Sequence, residues 1–248
     1  MKTGFLRNFT ALVVVSALYG CAARPSAYDI VILDGSIVDG SGSPAYVGDV
    51  GIKSGEIVKI GHFDESMATR VVDATGLIVS PGFIDLHTHA DRNLRDNPGA
   101  ENYLRQGVTT LLGGNCGNSA VDLDAYFQSV EHAGIAVNLG MLIGHNDVRA
   151  EVMGNDNRAP TADEQASMEA LVAEAMDAGA FGLSTGLIYL PGTYSETGEV
   201  IKLARVAARK GGIYASHIRN CLLYTSPSPR DHLLHLVCRL RREQGGGG

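Results

Sequence analysis

From residue 28 onward, apolar and polar positions follow two different rhythms. Up to about residue 80, short β-branched runs are cut by turn pairs: Ile30-Val31-Ile32-Leu33 before Asp34-Gly35, then Ile37-Val38 before Asp39-Gly40. Residues 50–53 and 56–60 flank Ser54-Gly55, a spacing that predicts a hairpin. Past Pro81 the rhythm becomes strand, loop, amphipathic helix. Apolar runs at 82–89, 108–114, 135–143, 180–185 and 212–217 predict strands. A helix is predicted over 162–178, where Met168, Leu171, Val172, Ala175 and Met176 recur at helical spacing. Thr161 and Glu164 supply its capping box, and Gly179 stops it. A second helix is predicted over 196–210, with Arg209 and Lys210 in the last turn, where the dipole favours cations. The alternation argues for parallel strands joined by helical crossovers. The expected fold is therefore α/β: a small β-rich unit, half of a β-sandwich, over 21–80, and then an incomplete (β/α)8 barrel of the TIM type over 81–220. A full barrel of this kind takes about 250 residues.

Composition narrows the class. The chain has 248 residues, 45% hydrophobic and 19% charged, which places it among globular proteins. A net charge of −7 gives no basic face for nucleic acid, and no nucleic-acid partner is expected. The start differs from the rest: Lys2 and Arg7 precede an apolar run at 9–19 that ends in Leu18-Tyr19-Gly20-Cys21. That run is too short to cross a bilayer core of roughly 30 Å. Residues 1–20 resemble a bacterial lipoprotein signal, with Cys21 as the lipidated first residue of the mature chain; a plain secretory signal is the alternative. Either implies export, and the former implies a lipid anchor in the cell envelope facing the periplasm. Four cysteines, Cys21, Cys116, Cys221 and Cys238, are too few for a disulfide framework. From Cys221 onward the rhythm stops, four arginines face one aspartate and one glutamate, and the chain closes on four glycines. Residues 221–248 resemble translated adaptor sequence joined to a shortened frame, so a non-native tail is expected, with a basic arm as the alternative.

The candidate chemistry centres on residues 81–90, Pro-Gly-Phe-Ile-Asp-Leu-His-Thr-His-Ala. In a strand, Asp85, His87 and His89 share one face, so two imidazoles point into one space. Taken alone, the pair suits either a metal ion or a packed core with satisfied ring nitrogens. Cys116, in Gly113-Gly114-Asn115-Cys116-Gly117, follows the second barrel strand, and His217 ends the fifth. The C-terminal strand ends form the active face of such barrels, so these four converge. A thiolate beside imidazoles is a soft, zinc-favouring donor set. His145 also ends a strand but gains no metal role and reads as structural or supporting; His62 and His132 sit in polar surroundings and read as solvated.

On the stretch Gly-Phe-Ile-Asp-Leu-His-Thr-His, the chain is similar to the amidohydrolase superfamily. On Gly114-Asn115-Cys116-Gly117, with Ser184-Thr185-Gly186-Leu187-Ile188-Tyr189, it resembles the D-aminoacylase or N-acyl-D-amino-acid deacylase group. The likeness runs from about residue 28 to 220. It implies one or two zinc ions, with His87 and His89 at one metal position, Cys116 between the two and His217 at the other. It implies that Tyr189 contacts the substrate, and Asp85 is expected to orient a ligand through a hydrogen bond. The implied activity is hydrolysis of N-acyl-D-amino acids. Two alternatives stand beside it: a cyclic-amide hydrolase of the hydantoinase or dihydroorotase kind, and a catalytically incomplete fragment. The family's acid/base aspartate, a further histidine ligand and the group that binds the substrate carboxylate are all expected beyond residue 220.

Overall fold

The computed structural model describes residues 26–64 and 67–219. The expected signal, Cys21 and the basic tail lie outside them. The chain divides into two units, Met1–Pro81 and Gly82–Gly248.

The first unit is one sheet of five strands: β1 (Tyr28–Ile37), β2 (Tyr46–Lys53), β3 (Glu56–Gly61), β4 (Ala68–Asp73) and β5 (Ile78–Val79). The order is β3-β2-β1-β4, with β5 also paired to β1. The hairpin expected at Ser54-Gly55 joins β2 to β3 antiparallel, and both turn residues take positive φ, 52° and 80°, the geometry that matches strand twist. Val31, Ile37, Val50 and Ala74 are buried. Asp49 is buried with them and is satisfied by backbone: its carboxylate accepts from Asp34 N–H at 2.8 Å and from Phe63 N–H at 2.9 Å.

Among the described residues of the second unit, five parallel strands stand in sequence order: β6 (Phe83–Asp85), β7 (Val108–Gly113), β8 (Asn138–Gly144), β9 (Gly182–Gly186) and β10 (Ile213–His217). Helices α1 (Glu101–Leu104), α2 (Leu123–Ala133), α3 (His145–Met153), α4 (Ala162–Asp177) and α5 (Thr197–Arg209) fill the crossovers. This is the curled parallel arrangement of an incomplete (β/α) barrel. The capping box of α4 is present in full: the Thr161 hydroxyl accepts from Glu164 N–H, and the Glu164 carboxylate accepts from Thr161 N–H. Met168, Val172 and Ala175 of α4 pack on Met141, Ile143 and Leu183 of the sheet, all within 2% of complete burial. Burying a side chain of this size is worth about 1.5–3 kcal/mol. The main core of this unit therefore lies against β8 and β9.

Two expectations change. The strand predicted over 82–89 ends at Asp85; the chain bends at Leu86 and His87, and His89 opens a single 3-10 turn over Ala90–Arg92. The physical reason is local: the Asp85 carboxylate takes the His87 N–H at 3.0 Å, replacing a ladder bond with a side-chain turn. Strand alternation is thus not what brings the histidines together. The run at 135–143 is strand only from Asn138, because Ala136 N–H bonds Pro98 O instead of a neighbouring strand.

Candidate metal centre

Each candidate residue sits at or just past the C-terminal end of a parallel strand. His87 and His89 follow β6, Cys116 follows β7, Tyr189 follows β9 and His217 closes β10. Among the described residues, His87, His89 and Cys116 form a cluster that could hold a metal ion, with one donor atom from each and all three atoms within 4.8 Å of one another. Cys116 Sγ lies 3.4 Å from His87 Nε2, and the rings of His87 and His89 stand edge to face with centroids 5.6 Å apart. His217 is not in that cluster. It is buried, and its ring packs against Tyr189 at 82° with centroids 5.0 Å apart. Tyr189 itself is 40% exposed, at the rim of the strand ends.

The thiol is the most constrained of the donors. Cys116 adopts φ +57°, a left-handed conformation that a non-glycine residue takes only when its surroundings impose it. Gly117 and Gly186 show what imposes it. A Cβ on Gly186 would fall 2.0 Å from Cys116 O, and one on Gly117 would fall 2.4 Å from Asn146 Oδ1. The loop after β7 therefore lies against the ends of β8 and β9 at backbone distance. Asn146 N–H donates to Gly117 O at 2.9 Å, and the Asn146 carboxamide donates to Gly186 O at 3.1 Å. Asp147 holds the far side of the loop by accepting from Ser119 N–H at 2.8 Å and Asn118 Nδ2 at 3.2 Å.

Burial pushes the Cys116 thiol above its ordinary pKa, an effect that the Arg92 cation partly offsets. The neutral thiol is the resting form of such a group at pH 7, and a metal ion is what displaces its proton. Asp91, buried two residues after His89, is also shifted upward by burial, against hydrogen bonding from Gly114 and the charges of His89 and Arg92. Asp85 touches His87 through the backbone amide. His145, the first residue of α3, is fully buried and bonds Glu199 at 2.8 Å. Three polar residues to which the sequence assigned no role, Asn115, Asn146 and Ser184, are buried and bonded around the thiol loop. Their signal is faint, because an amide or hydroxyl that bonds only backbone leaves no spacing to read.

The donor set fits a metal: a thiol and two imidazoles, partly shielded from water and converging from two strand ends. The sequence profile of the amidohydrolase family matches residues 70–221. The N-acyl-D-glutamate deacylase of Alcaligenes xylosoxydans xylosoxydans is 39% identical over 77% of this chain and 44% of its own length. The D-aminoacylase of the same organism is 36% identical over 78% of this chain and 45% of its own. The chain thus spans about half the length of these relatives. The crystal structure of the Bordetella bronchiseptica N-acyl-D-glutamate deacylase, complexed with zinc and a phosphonate mimic of the tetrahedral intermediate, superposes with a TM-score of 0.74. That protein is 37% identical, over 79% of this chain and 46% of its own.

Proposed function

The chain belongs to the amidohydrolase family, and from that membership we propose that it hydrolyses the amide bond of N-acyl-D-amino acids, using zinc held by His87, His89 and Cys116 with His217 as a further ligand. The observation that carries this reading is the approach of three donors from two strand ends to within 4.8 Å. The names of the relatives supply the substrate class. Zinc bound there would polarise the scissile carbonyl and acidify water.

The chain's own residues do the rest of what can be assigned. Cys116 would bind as the thiolate, its proton displaced by the metal, and Arg92 offsets part of the cost that burial sets on that charge. His87 and His89 would each offer a ring nitrogen, and the Asp85 carboxylate fixes the backbone from which His87 projects. Tyr189, exposed above His217, is placed to meet the substrate. Cys21 is read as the point of lipid attachment of an exported protein, on the strength of Lys2, Arg7 and the apolar run before it. Labelled palmitate incorporation that is abolished in Cys21→Ser supports that part, and label retained in the variant refutes it.

Two measurements test the main reading. Purified chain should carry zinc, and Cys116→Ala should lose most of it; equal zinc in both proteins would remove Cys116 from the site. In a full-length protein, one that carries the groups expected beyond residue 220, amine release should be seen from N-acetyl-D-glutamate or N-acetyl-D-methionine and not from the L forms. Cleavage of a hydantoin with no action on either acyl-D-amino acid would replace this substrate class with cyclic amides.

A further inference from the structure

Ser184 lies in the middle of β9, fully buried, and its hydroxyl spans the thiol loop. Ser184 Oγ accepts from Gly117 N–H at 2.9 Å and donates to Gly114 O. One hydroxyl therefore joins the residue after the thiol to the residue two before it, closing the loop from outside. Asn115 makes the complementary tie on the other side. Its carboxamide donates to Leu112 O at 2.7 Å and reaches Thr88 O at 3.5 Å, and Thr88 stands between the two histidines. The loop bearing Cys116 is thus bracketed by β9 on one side and by the His87-Thr88-His89 backbone on the other.

We propose that Ser184 is a positioning residue for the metal centre: it touches neither metal nor substrate, but it holds Cys116 in its left-handed conformation with the sulfur turned to His87. The inference rests on the zinc reading above. The balance of effects favours it. A non-glycine residue at φ +57° is disfavoured without support. The hydroxyl makes two buried hydrogen bonds to the loop, and both oppose its relaxation. Without them, Gly117 N–H and Gly114 O lose a partner inside the protein, and a relaxed loop is the cheaper way for them to find water. The sulfur moves with the loop. Partners one step removed from a metal typically change its affinity by about 10–100-fold when removed.

The test uses cobalt(II) as the probe, because a thiolate ligand gives cobalt a near-ultraviolet charge-transfer absorption that histidine ligands do not. Wild type should show the band and Cys116→Ser should lack it. Ser184→Ala should lower or shift the band and weaken cobalt affinity roughly 10–100-fold in competition with a chelator, while Ser184→Thr, which keeps the hydroxyl, restores both. Thr185→Val removes an equally buried hydroxyl of the same strand, one that bonds Tyr214 and Ser216 instead of the loop, and should keep the band. Should Ser184→Ala fail to fold, the equal-volume pair Ser184→Thr and Ser184→Val gives the same comparison. An intact band with affinity within about twofold of wild type in Ser184→Ala, or an equal loss in Thr185→Val, overturns the positioning role and leaves the zinc reading standing. A wild type with no Cys116-dependent band overturns both.

Discussion

Two arginine–glutamate pairs, nine residues apart along the chain at the arginine, do opposite things in this molecule. Arg149, in α3, meets Glu199 in the first turn of α5, with both side chains at most 1% exposed. Glu199 accepts from His145 on its other oxygen, and Arg149 also donates to Asp156 O and Arg158 O. Arg158 meets Glu164 at 2.6 Å, with side chains 44% and 23% exposed. The chemistry is the same and the solvent is not. In the buried pair, the cost of taking the charges from water is offset by both Glu199 oxygens and by the Arg149 bonds to Asp156 O and Arg158 O, while Arg149 Nε and His145 Nδ1 make no hydrogen bond among the described residues. In the exposed pair, water and salt compete throughout. The buried network is also where the scaffold behind the metal centre is fixed: His145 and Asn146 are neighbours, and Asn146 N–H holds the thiol loop at Gly117. The surface pair secures the start of α4, whose capping glutamate it shares.

The largest difference between the pairs should appear in Arg149→Met, which keeps the apolar stem and leaves the Glu199 carboxylate buried without its cation. Urea unfolding should show a loss of about 3–5 kcal/mol. A loss under about 1 kcal/mol would place the two pairs in one class.

Next comes pH. Burial raises the pKa of Glu199, but hydrogen bonds from His145 and Arg149 outweigh it, so the carboxyl sits below its ordinary value of 4.5 in the folded protein. A lowered folded value means that this stabilisation is complete above 4.5 and is lost as pH falls through the folded value. The stability gap between wild type and Glu199→Gln should therefore be full near neutrality and close on acidification. A gap that stays constant with pH would assign the role of Glu199 to shape and not to charge. Glu164 shifts the same way, to about 2, through its bonds with Arg158 and the Thr161 backbone. Solvent reaches this pair, however, and its share of acid sensitivity should be small and should shrink with added salt.

Smallest of all is Arg158→Ala. Its unfolding midpoint should match wild type in high salt, and a clear loss there would show the surface pair working as the buried one does.

Much of the second unit can be read from its sequence, and the residues show why. Met168, Val172 and Ala175 recur on one helix face, and Thr161 with Glu164 announce its start, so α4 lies where periodicity places it. The strand after Pro81 misleads, because nothing in Asp85-Leu86-His87 shows that the carboxylate will take an amide from the ladder. Helix α3 is invisible for a related reason: it begins directly at the end of β8, with Gly144 before it and no side-chain cap to mark the boundary. At the centre itself, His87, His89 and Cys116 stand out because their chemistry is rare. Ser184, Asn115 and Asn146 do not, because they act through backbone groups that every residue has. The Arg149–Glu199 pair is hidden for a third reason: its members are far apart in sequence, and only folding decides which of many arginines and glutamates is shut away from water.

Gly186 carries a last consequence. It has no side chain to act with, yet the carbonyl of Cys116 lies where one would begin. The coordinates of the sulfur are thus written into the chain partly as atoms left out. A search for this centre by its reactive groups alone would pass over the position that leaves it the least room to differ.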